Sequence, residues 1–453
     1  MRRVCVALAV FCAFATTAWA QDPGASVPPT AGKTGGTKSV HVISHVVTHP
    51  PGWKAANVEL EQDANRPYVY ISGFVNFDAQ AYDISNPNAP KKVFDWTIDH
   101  PELHRGIGAM DGKYFQIGSR YYYAQSFQFM QGSPDADLGA VVFDVTGLPD
   151  SSKVKVVARI RYPQALGGFH NTFAYKHSDG RVLYFTTVAD TNAVIWDMDK
   201  IVAGADPLTA IVGKVPNPTP SKAIMSGSYH DFYVGYDPAT HQDKFYGAGL
   251  GGFSVWDVTH PASPVELFTI TGPGEQIAHT MTPSPDGKIV VTETEYQYTP
   301  LRIYDLTDAQ AGKVKNVDVP ISAWTADWHD LSHNHEVRWP YVFVSAYEDG
   351  LQVIDLSDPK HPKTVGSYST CNVNCAHEDG FGGNPDNGWK TTLPSVEQGA
   401  FGVDVRNRDG LVAISDMRTG LWLFKVDGFN GYKGGVNSVQ DYSKAPGSTP
   451  PTS

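Results

Sequence analysis

Five histidines occupy similar places along this chain, each just ahead of a short apolar segment that is typical of a β-strand. His170 and His230, for example, begin the segments 170–173 (HNTF) and 230–233 (HDFY). Neutral imidazole nitrogens suit Fe, Cu and Zn, so histidines gathered in one protected place would form a transition-metal site. The full set comprises His104, His170, His230, His279 and His335, and Glu59 occupies the corresponding place nearest the N-terminus.

Such a site requires a fold that brings distant segments to one point, and a repeated phrase indicates one. Residues 81–90 (AYDISNPNAP) recur as 255–264 (VWDVTHPASP) and 353–362 (VIDLSDPKHP), with weaker copies elsewhere. In the full copies a strand ends at an Asp, and two prolines stiffen the connection to the next strand. The Asp recurs at intervals of roughly 50–60 residues, the period of β-propeller blades. Its positions are Asp83, Asp144, Asp197, Asp257, Asp305 and Asp355.

The composition also favours many short strands and turns over helices. The chain has 43 Gly and 32 Pro among 453 residues, and aromatic residues make up 12%. Charged residues make up 18%, below the roughly 25% typical of soluble domains. We therefore expect an all-β fold with a sizeable core.

The two ends of the repeat region predict how the ring closes. Segments 403–406, 411–414 and 421–424 form a seventh unit that lacks its outer strand, and an alternating strand at 40–47 has no unit of its own. Pairing the two would remove the exposed edges of an open array. The sequence therefore predicts a seven-bladed β-propeller over residues 39–428, closed by the N-terminal strand in the last blade. A Gly- and Asn-rich insertion at about 371–398 precedes that blade, and an aromatic insertion at about 121–137 lengthens the second.

The phrase at residues 350–359 (GLQVIDLSDP) resembles the signature of the LVIVD-repeat family, and the likeness extends over about residues 39–428. The resemblance implies an exported or surface β-propeller and no particular activity. The aromatic-Asp pairs are also similar to WD-type repeats, but the prolines that follow them depart from that pattern.

The innermost strands of a propeller line its central channel, so equivalent positions in successive blades form a ring around the axis. The five histidines are predicted to bind one Fe, Cu or Zn ion there, and the last blade, without a ligand, would leave an open coordination position. Residues expected to orient these ligands or to gate the site are Glu59, Asp231, Glu336, His333 and His377. The arrangement is similar to the His-lined metal sites of carotenoid-cleaving oxygenases, which implies a metal-dependent oxidoreductase or oxygenase.

Two other interpretations of the histidines stay open. WD-type repeats use a His near the start of a blade as a structural hydrogen-bonding residue, and a polar channel can be filled with water. On either, the protein would be a non-enzymatic periplasmic or surface scaffold that binds protein or glycan. A ligand at the channel mouth, small molecule or protein, is expected in both cases, and the sequence identifies no catalytic residue.

The first 20 residues are typical of a secretory signal peptide. Arg2 and Arg3 precede an apolar run at 4–15, and Ala18-Trp19-Ala20 is a small-x-small cleavage site. We expect cleavage after Ala20, a periplasmic or secreted protein, a flexible linker at 21–38 and a disordered tail at 429–453.

Cys371 and Cys375 are the cysteines left after cleavage, and we expect a disulfide between them in an oxidising compartment. Two thiolate metal ligands are the alternative. The net charge of −12 excludes a general nucleic-acid binder, since phosphate binding needs a basic surface. No apolar run after the signal is long enough to span a membrane.

Overall fold

The computed structural model of the protein describes residues 35–49, 54–63, 65–74, 76–130, 132–190, 192–218, 229–272, 278–295, 299–326, 331–370 and 399–433. The chain there is all-β, as the composition predicted, with two short α-helices at Met198–Val202 and Thr307–Gln310. Short 3-10 turns occur at Pro101–Leu103, Ser151–Lys153 and Pro207–Ala210. Cys371, Cys375, His377, the signal segment and the 371–398 insertion lie outside these residues.

The strands form antiparallel repeat units of four. Two strands precede the units, β1 (Gly35–Gly36) and β2 (Val40–Val46). Unit 1 contains β3 (Lys54–Leu60), β4 (Tyr68–Phe74), β5 (Asp78–Asp83) and β6 (Lys91–Thr97). Unit 2 contains β7 (Gly108–Ile117), β8 (Arg120–Gln128), β9 (Leu138–Asp144) and β10 (Lys155–Arg161). A pairing of Phe74 with Gly108 joins these two units into one eight-stranded sheet.

Units 3 to 5 follow the same order. Unit 3 contains β11 (Thr172–Lys176), β12 (Val182–Thr187), β13 (Asn192–Asp197) and β14 (Ile211–Pro216). Unit 4 contains β15 (Tyr229–Asp237), β16 (Gln242–Gly249), β17 (Gly252–Asp257) and β18 (Val265–Ile270). Unit 5 contains β19 (Thr280–Pro283), β20 (Ile289–Glu293), β21 (Leu301–Asp305) and β23 (Ser322–Trp324), while β22 (Asn316–Val317) pairs with β18.

Units 6 and 7 take in the N-terminal strands. Unit 6 contains β24 (Asn334–Arg338), β25 (Tyr341–Ala346), β26 (Gly350–Asp355) and β27 (Lys363–Ser369), with β1 on its outer edge. Unit 7 contains β28 (Ala400–Val405), β29 (Val412–Asp416) and β30 (Gly420–Val426). Its fourth strand is β2, which pairs with β30 so that Val40 lies opposite Val426. The predicted pairing of the two chain ends is present.

The first strands of neighbouring units lie side by side. Strand β3 contacts β7, and the contacts continue through β11, β15, β19, β24 and β28, which in turn contacts β3. Apolar side chains fill the spaces between the sheets, and Trp196, Tyr70 and Phe143 are among the largest that are fully buried.

The Asp of the repeated phrase ends the third strand of its unit and fixes the turn that follows. In unit 6, Oδ1 of Asp355 accepts hydrogen bonds from the backbone N of Ser357 at 2.7 Å and from its hydroxyl at 2.6 Å. The same bond from the residue two positions on is made to Asp83, Asp144, Asp257 and Asp305. In each of these turns the acceptor is the Asp carboxylate.

Three predicted boundaries differ from the structure. Residues 121–128 form β8, a buried strand of unit 2, so this run is not an insertion. Phe429, the first residue of the predicted tail, is buried and its ring lies 4.9 Å from that of Phe343. Gly35 and Gly36, inside the predicted linker, pair with β27. Among the described residues, no helix has the length and apolar character needed to cross a membrane.

Candidate metal centre

Four imidazoles lie in a continuous row at the starts of units 3 to 6. The ring centroids of His170 and His230 are 4.3 Å apart, and those of His230 and His279 are also 4.3 Å apart. His333 continues the row, 4.8 Å from His279. Each of four successive units therefore contributes one imidazole.

Equivalent backbone positions place the four rings at one level. The backbone N of His279 donates to the carbonyl oxygen of Glu293, the last residue of β20, at 2.9 Å. In the same way, the backbone N of His333 donates at 2.9 Å to the carbonyl oxygen of Ser345, next to the end of β25. His170 N donates to the Thr187 hydroxyl at 3.0 Å, at the end of β12. His230 lies in a bulge opposite the end of β16, and such a bulge redirects a side chain.

Several nitrogens of the row carry lone pairs that the protein does not use. Nδ1 of His170 donates to Gln128 Oε1 at 2.6 Å and Nδ1 of His333 donates to Phe401 O at 2.7 Å, which leaves Nε2 of each ring unprotonated. Three further nitrogens are buried and have no hydrogen-bond partner among the described residues: Nδ1 of His230 and both ring nitrogens of His279. Buried polar atoms without partners are uncommon and point to a ligand or ordered water.

Glu295 adds a carboxylate to the row. Its Oε2 lies 3.4 Å from Nε2 of His279, and its Oε1 lies 3.9 Å from Nε2 of His333. One ligand atom each from His230, His279 and Glu295 lie within 4.8 Å of one another. Ligands at about 2.0–2.2 Å from an ion lie roughly 3–4 Å apart, so small side-chain movements would bring the three into one coordination sphere.

Burial keeps all four imidazoles neutral. It lowers the pKa of His170 to about 4 and that of His333 to about 3. Burial, with the neighbouring imidazoles, lowers the pKa of His230 and His279 well below the usual value. The neutral form is the one that metal ligation requires.

His104 was predicted as a ligand but lies outside the row. Its Nδ1 bonds His100 O at 2.9 Å and its Nε2 lies 3.2 Å from Asp135 Oδ2. The row histidines of the other units lie opposite the end of their second strand. In unit 2 the residue at that position is Gly108, which pairs with Gln128 at the end of β8. The predicted aromatic insertion had shifted the alignment of this unit, and His104 has the structural role that the alternative interpretation assigned to such histidines.

His335 was also predicted as a ligand and lies outside the row. Neighbouring residues of a strand point to opposite faces, so His335 faces away from the side on which Glu336 and Arg338 form an ion pair at 2.6 Å. Its Nδ1 lies 3.0 Å from Oε2 of the buried Glu293 in unit 5. His333, which the sequence placed among the orienting or gating residues, takes its place in the row.

The other predicted orienting residues belong to a partly buried charged layer on the first strands. Glu59 lies 3.3 Å from Lys113 Nζ, which also contacts Asp111 at 3.0 Å. Burial raises the pKa of Glu59 well above its usual value and that of Asp231 to about 7. Glu336 pairs with Arg338, as described above.

Apolar side chains flank the row on the side of units 7, 1 and 2. Phe401 stacks on His333 with centroids 3.6 Å apart, and Phe74 meets Phe401 edge-on at 4.8 Å. Met110 and Tyr347 belong to the same buried cluster. Tyr347, whose hydroxyl donates to Glu295, was not predicted, because a hairpin position alone does not reveal where a side chain points.

A family model described as the LVIVD repeat matches residues 337–370. The match contains β25, β26 and β27 of unit 6 and the phrase that carried the resemblance. The chain therefore contains an LVIVD repeat, and the resemblance inferred from its sequence is confirmed. No curated protein matches the chain.

Proposed function

We propose that this LVIVD-repeat protein is a closed seven-bladed β-propeller that holds a transition-metal ion on its axis. The ligands are His170, His230, His279 and His333, with Glu295 as the carboxylate. The observation that carries the proposal is the row of four buried, neutral imidazoles. Among the described residues, Nδ1 of His230 and both nitrogens of His279 have no hydrogen-bond partner. Imidazole and carboxylate donors together suit Fe, Zn or Cu.

The contacts between first strands support closure of the ring. Seven units follow one another, each first strand contacts the next, and β28 contacts β3. Pairing of β2 with β30 supplies the outer strand of the seventh blade. A propeller closed by its two chain ends accounts for all of these contacts.

The position of the apolar side chains supports an open coordination position. The imidazoles come from units 3 to 6, while Phe401, Phe74 and Met110 from units 7, 1 and 2 flank the row. A metal held from one side keeps a position for a small molecule. We therefore favour a metal-dependent oxidoreductase, in which a bound Fe or Cu would supply the redox chemistry and the chain would bind and orient it.

Export is part of the proposal. The arrangement of Arg2, Arg3, the apolar run at 4–15 and Ala18-Trp19-Ala20 is that of a signal peptide, so the protein would acquire its metal in the periplasm or outside the cell.

Metal analysis of the purified protein tests the function. Protein isolated from the periplasm should contain about one Fe, Cu or Zn ion per chain, because the row forms one site. H230A and H279A should lose this metal yet keep the far-UV circular dichroism of the wild type. H104A is the matched control, since it removes a buried histidine outside the row, and should retain the metal. If wild-type protein is purified without metal and does not bind added Fe, Cu or Zn ions, the result would favour the interpretation as a non-enzymatic scaffold.

A further inference from the structure

Tyr347 lies in the hairpin between β25 and β26 with an unusual backbone conformation. Its φ is +34°, in the left-handed region where a bulky side chain is strained. Its carbonyl oxygen accepts hydrogen bonds from Gly350 N at 3.0 Å and from Ala400 N at 2.8 Å. These bonds hold the hairpin against β28 and maintain the strain. Residues kept in such conformations cluster at functional sites.

The hairpin directs the phenol of Tyr347 to Glu295. The side chain is fully buried, and its hydroxyl donates to Oε1 of Glu295. Its ring also meets His333 edge-on, with centroids 5.5 Å apart. The other carboxylate oxygen, Oε2, lies 3.4 Å from Nε2 of His279. Glu295 therefore presents Oε1 to Tyr347 and Oε2 to His279.

We infer that Tyr347 is a positioning residue that fixes Glu295 as a metal ligand through a single oxygen, an inference that rests on the metal site proposed above. Oε1 is engaged by the phenol, so the carboxylate is held from rotating to bind through both oxygens or from turning out of the row. Removing the hydrogen-bond partner of a metal ligand typically weakens metal binding by about 10–100-fold.

Cobalt binding provides the test, because the visible absorption of Co²⁺ reports the number and geometry of its ligands. Y347F should bind Co²⁺ about 10–100-fold more weakly than wild type, with a changed visible spectrum. The matched control is Y175F, since the phenol of Tyr175 also donates to a buried carboxylate, Asp243 Oδ1 at 2.5 Å, outside the row. Y175F should keep the affinity and spectrum of the wild type.

A double-variant cycle separates positioning from simple packing. E295Q leaves Tyr347 in place and should reproduce the spectral change, which keeps the inference testable even if Y347F folds poorly. Adding Y347F to E295Q should weaken binding by less than roughly twofold, since the two residues act together. A full additional loss in that background would overturn the inference.

The failure of this inference can be told from the failure of the proposed function. If Y347F binds Co²⁺ with the affinity and spectrum of the wild type, Tyr347 does not position Glu295, while the histidine site stands. If wild-type protein binds no Co²⁺, the metal site itself is wrong and the inference fails with it.

Discussion

Asp404 illustrates what burial does to a single charge in this fold. Its two carboxylate oxygens accept hydrogen bonds from the backbone N of Leu60 and of Val405, each at 2.6 Å, and Arg338 lies 3.5 Å away. Burial, followed by the nearby charge of Glu336, raises the pKa of Asp404 to about 6. The folded protein therefore takes up a proton here at a pH where the unfolded chain does not.

The stability of D404N should depend on pH differently from that of the wild type. As pH rises from 3.8, the ordinary pKa of Asp, to about 6, ionisation of Asp404 progressively lowers the free energy of unfolding. Above pH 6 this destabilisation stays constant. D404N lacks this loss, so its free energy of unfolding relative to wild type should increase by about 2 kcal/mol from pH 4 to pH 7. Urea unfolding at several pH values measures this, with the exposed D99N as control; a difference independent of pH would contradict it.

Residue types and spacing predicted part of the imidazole row. His170, His230 and His279 lie together because each starts a strand at the same level, a position that the repeat period indicates. His333 and His335 are two residues apart, so only the exact strand start distinguishes them, and the repeat period does not fix it. Contacts between units, such as Tyr347 with Glu295, depend on packing that no local pattern records.

In five of the units, the turn after the third strand is held by one carboxylate. Asp355 holds both the backbone N and the hydroxyl of Ser357, so D355A leaves two groups to water. We expect D355A to lower the free energy of unfolding by about 1 kcal/mol, because such bonds contribute modestly at an exposed turn. Denaturant unfolding measures this, and K360A in the same turn should have little effect. Equal stability of D355A and wild type would show that the prolines alone fix the turn.

The strands themselves were largely predictable from the repeated phrase. The phrase marks the third strand of its unit, and the alternating or apolar runs on either side mark the neighbours. Unit 2 was the exception, because the Tyr- and Phe-rich run of β8 was interpreted as an insertion. Its aromatic rings are core side chains: Tyr70 stacks on Tyr123 at 4.1 Å, and Phe127 is fully buried. Aromatic residues suit both a binding loop and a core, and composition does not separate the two.

The stability of the whole fold should depend on β2. Its Val40 is buried among Phe343, Val426 and Trp422, and removing the strand would expose the edge of β30. Deletion of residues 21–46 should lower Tm by ~5 °C or more, because it removes both apolar burial and a full row of backbone bonds. Deletion of 434–453 should leave Tm unchanged. Differential scanning calorimetry compares the two, and equal Tm values for wild type and the 21–46 deletion would contradict closure by this strand.

The pairing of β2 with β30 also determines when this part of the fold can form during synthesis of the chain. Val40 lies opposite Val426, so β2 is synthesised almost 400 residues before its partner strand. Pairings between such distant residues are slow to form, and a waiting strand exposes an edge to wrong partners. Asp427 N already bonds Ser39 O at 2.8 Å, so a short linker could join the two ends. A circular permutant opened at the exposed turn 85–90 would make β30 and β2 consecutive and should refold faster than the natural chain.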